Sequence, residues 1–385
     1  MDSTVYDYAI VGAGAAGLHL AMAMSKDKFF DSKKILLLEK SQKDVNDKTW
    51  CFWEKGDGQW DSIATKIWDQ AQFMATDQQI NLKMGAYRYK MLASLDFYTY
   101  TKEELKNKEN ITWVNAEVEN IKQGETTTIE TSGQSYLAKH VFDSIITPDF
   151  FNSNDKYTRL LQHFKGWVIE TDEEVFNDKS FVMMDFRITV PDTTCFTYVL
   201  PISRKKALIE FTFFSPTLVE DERYENLLSR YVKEILRIER YQITAKEKGV
   251  IPMSDYPFHK SNNQQLTKIG TAGGWVKPAS GYSFKNAERY SQLIINNIKN
   301  NRLPSHKLLN TLFRKYDALF IDILYHHNQL GVGLFKIMYG KNKAHQIFAF
   351  LDEETTHAEE FKIINSFPRW PFMRALFKKV FSQLE

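Results

Sequence analysis

A single carboxylate interrupts an apolar segment, and its chemistry is that of a proton donor. The segment KKALIEFTFFS, residues 205–215, places Glu210 among leucine, isoleucine and phenylalanine. Four side chains share one face of a strand with this sequence: Leu208, Glu210, Thr212 and Phe214. Apolar surroundings raise the pKa of a carboxyl group, so Glu210 could stay protonated near neutral pH and act as a general acid. A glutamate that faces solvent and pairs with one of the basic residues 204–206 is the other interpretation, and the commoner one for an isolated strand.

A glycine-rich turn near the N-terminus predicts a dinucleotide site. In YDYAIVGAGAAGLHL a buried strand leads through Gly12, Ala13, Gly14 and Gly17 into a helix. The first glycine allows the turn, the second lets the backbone approach a pyrophosphate, and the third allows close packing of helix and strand. Glu39 ends the next strand, where an acid can hold ribose hydroxyls. These residues do not separate FAD from NAD.

A second glycine motif favours FAD. The segment KIGTAGGWVKPASGYSF, residues 268–284, resembles the second flavin motif of the FAD-dependent hydroxylases and reductases. The residues that we assign to the cofactor are Gly270, Thr271, Pro278, Gly281 and Tyr282. Thr271 replaces the aspartate that the superfamily uses on the ribityl chain, and its hydroxyl can still form a hydrogen bond.

Two tryptophans lie in the segment NDKTWCFWE, residues 46–54. Trp50 and Trp53 are consistent with core packing, and equally with an aromatic wall that stabilises a cation through the ring quadrupole. Composition does not choose between these two interpretations.

Three segments, NDKTWCFWE, LIEFTFFS and GTAGGWVKPASGYSF, follow the glycine turn in an order that resembles the bacterial-type lycopene β-cyclases. The resemblance extends over about residues 6–300. It implies an isomerase, or intramolecular lyase, that closes the ends of lycopene or another linear carotene into β-ionone rings, giving β-carotene via γ-carotene. The reaction has no net redox change but requires reduced FAD, with NAD(P)H as the reductant. The resemblance gives Glu210 the role of the essential acid, and we place Trp50, Trp53, Thr212 and Phe214 at the substrate.

Three alternatives remain open from the sequence. One is a flavin-dependent reductase of isoprenoid double bonds, similar to geranylgeranyl reductases, and another is a flavin monooxygenase. The third is a carotenoid carrier in which FAD is structural. Product mass separates them, because cyclisation leaves it unchanged, reduction adds two hydrogens and hydroxylation adds oxygen.

Composition limits the partners. The chain has 385 residues and a formal net charge of +2, which argues against nucleic acid. The two cysteines, Cys51 and Cys195, form no disulfide framework, and no spacing predicts a metal site. We expect a cytoplasmic protein, because the N-terminus does not have the pattern of a secretory signal. The tail RWPFMRALFKKVFSQLE, residues 369–385, is typical either of an interfacial basic helix or of a helix docked on the protein, and oligomeric state is open. We expect peripheral association with the inner face of the cell membrane.

These residues need a scaffold of strands and helices, and the order of the elements predicts an α/β fold. We expect a Rossmann-like FAD-binding domain of the glutathione-reductase and hydroxylase type over residues 1–150, with some insertion of the substrate domain near 75–100. A mainly β-sheet substrate domain follows at 151–264. The chain then returns to the FAD domain at 265–302 and ends in a helical region at 303–385.

Overall fold

The computed structural model describes residues 4–153 and 156–381, and the strands fall into three sheets within these ranges. The strands are β1 Val5–Val11, β2 Ile35–Glu39, β3 Thr49–Lys55, β4 Lys66–Trp68, β5 Gln70–Ala75, β6 Gln78–Leu82, β7 Tyr87–Ala93, β8 Ile111–Asn115, β9 Val118–Lys122, β10 Thr127–Thr131, β11 Ser135–Asp143, β12 Arg159–Glu170, β13 Ser180–Asp185, β14 Thr194–Ser203, β15 Lys206–Ser215, β16 Gln242–Ser254 and β17 Leu266–Lys268. The helices are α1 Ala15–Lys26, α2 Ser94–Leu105, α3 Pro148–Asn152, α4 Asp221–Arg230, α5 Phe284–Lys299, α6 Thr311–His326, α7 Gly331–Lys341, α8 Ala344–Leu351, α9 His357–Ser366 and α10 Arg369–Phe381.

The first sheet carries the glycine turn. Its strand order is β8-β2-β1-β11-β10-β9, with β17 beside β11. Strands β8, β2, β1, β11 and β17 run parallel, and all five residues of β2 are buried, as expected where both faces of a parallel sheet are covered. Helices α1 and α5 share a buried cluster with one face. This arrangement confirms the predicted α/β class.

The second sheet has the order β16-β12-β15-β14-β13-β5-β6 and is antiparallel except for the pair β13 and β5. Strands β5 and β6 come from residues 70–82, which overlap in part the range near 75–100 where an insertion was expected. One face of the sheet packs on α4, and the other faces the C-terminal helices α6, α7 and α8. Alternation along β15 divides its side chains between these two faces. A third, small antiparallel sheet has the order β3-β7-β4, and its strands come before and after β5 and β6 in the sequence.

The C-terminal helices leave an apolar patch on the surface. Phe361 on α9 and Trp370 on α10 are 71% and 74% exposed. Four neighbours on the same two helices are also exposed: Ile364, Met373, Leu376 and Phe377. Ala375 is buried against the body, so α10 is docked on the protein with an apolar outer face. The side chains of Lys378, Val380 and Phe381 and the last four residues of the predicted amphipathic tail lie outside the described part. Among the described helices, none has the length and apolar character to cross a bilayer.

Candidate active site

A cavity of about 450 Å³ opens between the two glycine loops and the inner face of the second sheet. The N-terminal loop contributes Gly14 to its wall, and the second motif contributes Gly270, Thr271 and Gly281. The opposite wall is formed by β12, β15 and β16, and it includes Glu210. The two segments assigned to the cofactor and the proposed acid therefore border one space.

The backbone around Gly12 and Gly17 explains the first glycine motif. Gly12 has a φ of 96°, which side chains of L-residues rarely adopt. A Cβ on Gly17 would lie 1.9 Å from the carbonyl oxygen of Gly12, so α1 can approach the turn only because Gly17 has none. Gly14 precedes α1 without a side-chain cap. The first amide N–H groups of the helix thus remain available for an anion at the cavity wall.

Glu39 lies beneath this loop and outside the cavity lining. Its carboxylate accepts hydrogen bonds from the backbone N–H of Ala13, at 2.7 Å, and from the backbone and hydroxyl of Ser41, at 3.0 and 2.9 Å. Burial acts to raise the pKa of Glu39, but these hydrogen bonds and the charge of Lys43 outweigh it and lower the pKa. Glu39 therefore holds the glycine loop in place, and the ribose contact stays a prediction.

The second motif forms a tight loop around the cavity. Gly270 and Gly281 have φ values of 59° and 74°, and both border the cavity together with Thr271. Pro278 is buried behind the loop and does not reach the cavity lining. Tyr282 stands at the edge of the cavity, where its hydroxyl is 2.9 Å from that of Tyr89.

Polar atoms around the cavity fit a ligand such as FAD. Three of the lining residues, Gln162, Trp275 and Ser280, each have a buried polar side-chain atom without a hydrogen-bond partner among the described residues. Buried polar groups are normally satisfied, so these three atoms favour an occupant that carries polar groups. With the helix N-terminus at Gly14 for a pyrophosphate, the residues present fit FAD.

Glu210 projects from the centre of the second sheet toward the cavity. In register across the sheet it lies between Tyr198 on β14 and Gly166 on β12. The hydroxyl of Thr212 donates a hydrogen bond of 3.1 Å to Oε1 of Glu210. Burial raises the pKa of Glu210 well above its ordinary value, and the charge of Glu247 and a hydrogen bond with it act in the same direction. The side chain is not on a solvent-facing edge, and none of the basic residues 204–206 pairs with it.

Glu247 is a second carboxyl group at this site, and the sequence reasoning missed it. It lies on β16 opposite Gly166, borders the same cavity and accepts a 2.7 Å hydrogen bond from the hydroxyl of Thr49. In the sequence it sits between lysines in AKEKGV, which is typical of a solvated strand. The signal that could have found it is a glycine in the interior of a strand, here Gly166, because such a glycine often marks close approach of other groups.

An apolar cavity of about 210 Å³ adjoins the first. It lies between the second sheet and the C-terminal helices, and Trp53 and Phe214 are in its wall. Tyr198, Ser280 and Tyr282 border both cavities, so the two spaces meet at this layer.

The four residues predicted to contact substrate lie in different places. Trp53 and Phe214 line the apolar cavity, and Trp50 lines the larger one. The Trp53 indole N–H donates a 2.8 Å hydrogen bond to Oδ1 of Asp352. Thr212 is fully buried and lines neither cavity, and its contact is with Glu210.

Comparison with known proteins gives one family. The family model described as lycopene cyclase protein matches residues 7–377. No curated protein matches the sequence. Among solved structures, similarity extends over almost the whole chain at low identity. A geranylgeranyl bacteriochlorophyll reductase-like protein from Thermoplasma acidophilum has a TM-score of 0.56 at 10% identity, covering 97% of this chain and 96% of that one.

Two halogenating enzymes have the same fold. The flavin-dependent brominase Bmp2 has a TM-score of 0.57 at 12% identity, with 94% of this chain and 93% of the other covered. The halogenase PltM has a TM-score of 0.60 at 13% identity, with 96% and 87% covered. These similarities establish the fold, and the identities are too low to carry more.

Proposed function

The chain belongs to the lycopene cyclase protein family, and we propose that it is a lycopene β-cyclase. In this proposal it closes the linear ends of lycopene into β-ionone rings and gives β-carotene via γ-carotene. The observation that carries the proposal is the position of Glu210. Its carboxyl group lines the same cavity as both glycine loops, and that cavity adjoins an apolar one.

The chain's own residues would move one proton in and one proton out. Glu210, kept neutral by burial, donates its proton to the terminal double bond of the carotene. The resulting cation is attacked by an internal double bond, and the new carbon–carbon bond closes a six-membered ring. Loss of a proton from a carbon next to the cation then gives the ring double bond, so nothing is oxidised or reduced. Thr212 orients the Glu210 carboxyl through its hydrogen bond.

FAD would be held by the helix N-terminus at Gly14 and by the loop at Gly270, Thr271 and Gly281. When bound in reduced form, the flavin would supply an electron-rich, negatively charged neighbour for a developing cation. Trp50 and Tyr198 line the same space and would exclude water from it. NAD(P)H as the reductant belongs to this proposal.

We further propose that the substrate enters from a membrane surface at the cytoplasmic side. The exposed patch on α9 and α10 adjoins the apolar cavity, since Ile364 is 40% exposed and also lines that cavity. Exposed Arg369 and Arg374 beside the apolar side chains fit an interfacial helix on anionic lipid.

The test is conversion of lycopene by the purified flavoprotein under reducing conditions, with the product identified by absorption spectrum and mass. We expect β-carotene of unchanged mass from the wild-type protein, no conversion by Glu210→Gln with FAD still bound, and normal conversion by the control Glu222→Gln on the exposed face of α4. A product heavier by two hydrogens would replace this proposal with an isoprenoid reductase. A product that gains oxygen would indicate a monooxygenase, and an active Glu210→Gln variant would remove Glu210 from the mechanism.

A further inference from the structure

Glu210 and Glu247 form one row across the second sheet. The register places Glu210 opposite Gly166, and Gly166 opposite Glu247 on the next strand. Residues in register on neighbouring strands project to the same face, so both carboxyl groups point toward the cavity from either side of a glycine. The two carboxyl groups interact electrostatically: Glu247 acts to raise the pKa of Glu210 through its charge and a hydrogen bond, and that bond acts to lower the pKa of Glu247, as expected where one of the two groups carries a proton.

Gly166 provides the room for this contact. A Cβ at this position would lie 3.0 Å from Cγ of Glu247 and 2.9 Å from a methyl carbon of Leu208. A side chain on β12 here would therefore push the Glu247 side chain away from the position that it occupies. A glycine inside a strand lowers the stability of the strand. Because Gly166 has no side chain, Glu210 and Glu247 can approach each other across β12.

Glu247 is held by a residue of β3, and the two neighbouring lysines on its own strand pair with other acids. The Thr49 hydroxyl donates to its Oε2. Its neighbours Lys246 and Lys248 project to the other face of the sheet by alternation, where Lys246 pairs with Glu225 and Lys248 with Asp221. The charge that offsets a Glu247 carboxylate therefore does not come from β16.

Two carboxylates this close cannot both be ionised without a large cost in free energy. The titratable groups that face the pair from other elements are Cys51 on β3, Tyr89 on β7 and Tyr198 on β14. Burial raises the pKa of each of these three groups well above its ordinary value, so they stay neutral at physiological pH. Of the other charged residues that line the cavity, Lys48 pairs with Asp47 at 3.5 Å, and Lys248 pairs with Asp221 of α4. The proton in this part of the cavity thus belongs to the two glutamates.

We propose that Glu247 is a positioning residue that shares one proton with Glu210 across Gly166 and so presents Glu210 to the carotene as a neutral acid. This inference rests on the proposed cyclase function and deepens it. Before turnover the pair holds one proton and one negative charge. Glu210 transfers the proton to the alkene carbon, and the proton lost after ring closure returns to the pair. The site then regains its starting state with no co-reactant.

The experiment is a pH profile of cyclisation by the reduced holoenzyme for wild type, Glu247→Gln and Gly166→Ala. Removing the Glu247 charge, or moving that side chain away, lowers the pKa of Glu210. Glu210 then loses its proton at a lower pH than in wild type. We expect the alkaline limb of the profile to move down by at least about one pH unit in both variants, which lowers the rate about tenfold, relative to the acidic plateau, at any pH well above both limbs. Gly133→Ala in the turn after β10 has no atom within 4 Å of the new Cβ and is the matched control.

A second measurement does not depend on turnover. Infrared difference spectra of wild type against Glu210→Gln at neutral pH should contain the carbonyl band of one protonated carboxyl group, and this band should shift in Glu247→Gln. If both variants cyclise with the same pH profile as wild type, or if the band is absent, the shared proton of Glu210 and Glu247 is overturned. The proposed cyclase function would remain. Failure of the wild-type protein to cyclise lycopene, with the band present, would instead overturn the proposed function and leave the shared proton.

Discussion

The partly buried acid Asp352 at the end of α8 gives a quantitative test of the electrostatics around the apolar cavity. Asp352 accepts the hydrogen bond from Trp53, and burial raises its pKa to about 7 from an ordinary value of 3.8, against the lowering effect of that hydrogen bond. Between about pH 4 and pH 7 the unfolded chain has lost this proton while the folded protein keeps it. Each pH unit in this window therefore lowers the free energy of unfolding by about 1.4 kcal/mol, or about 4 kcal/mol in total.

Asp352→Asn removes this titration and keeps an oxygen that can accept from Trp53. We expect the free energy of unfolding of the variant to rise relative to that of wild type as the pH rises from 4 to 7. At pH 8 the difference between the two proteins should favour the variant by about 4 kcal/mol more than it does at pH 4. Denaturant unfolding of both proteins at each pH measures the difference, with Asp172→Asn in an exposed loop as control. A stability difference that stays constant from pH 4 to pH 8 would refute the raised pKa of Asp352.

Four other perturbations separate the roles of neighbouring groups. Gly17→Ala places a Cβ 1.9 Å from a backbone oxygen. It should lower the free energy of unfolding by about 2 kcal/mol and weaken flavin binding. Gly14→Ala meets no protein atom within 4 Å and should weaken flavin binding, read from the visible absorbance, without changing the melting temperature of the flavin-free protein. Tyr282→Phe loses the hydroxyl contact with Tyr89 and should cost about 1 kcal/mol in denaturant unfolding, with the same carotene product by mass. Trp370→Ser should reduce sedimentation with anionic vesicles several-fold while leaving conversion of detergent-dispersed lycopene unchanged, and equal sedimentation would exclude α10 from the membrane contact.

Sequence patterns predicted the part of the site that depends on local chain geometry. Gly12 and Gly17 lie in a strand, turn and helix that are contiguous in the chain, so spacing alone specified their environment. Glu210 could be singled out because its apolar neighbours on β15 are also adjacent in sequence. Thr212 was placed on the correct face of that strand, but whether it reached a cavity or the acid depended on the packing of the neighbouring strands.

Glu247 could not be predicted in the same way, because its partner lies two strands away in the sheet. The order β16-β12-β15 brings residues 242–254 beside residues 159–170, and no local pattern specifies this pairing. A one-residue change of register would move Glu247 to the opposite face, where Lys246 and Lys248 now pair with acids of α4. The chemistry of the pair therefore depends on register, which is a property of the whole sheet.

The C-terminal helices explain why motifs cover only part of the site. The apolar cavity is lined from α6 to α10 by side chains such as Leu319, Phe335 and Ile363, beyond the last recognisable motif. Apolar walls tolerate exchange among side chains of similar volume, whereas a proton donor, its partner and the glycine between them do not. A substrate that is a long hydrocarbon needs from these helices only shape and the absence of water. If the C-terminal helices bind most of the carotene, as the proposed function requires, their apolar side chains are expected to vary freely in sequence, and the few polar residues on the sheet determine which reaction takes place.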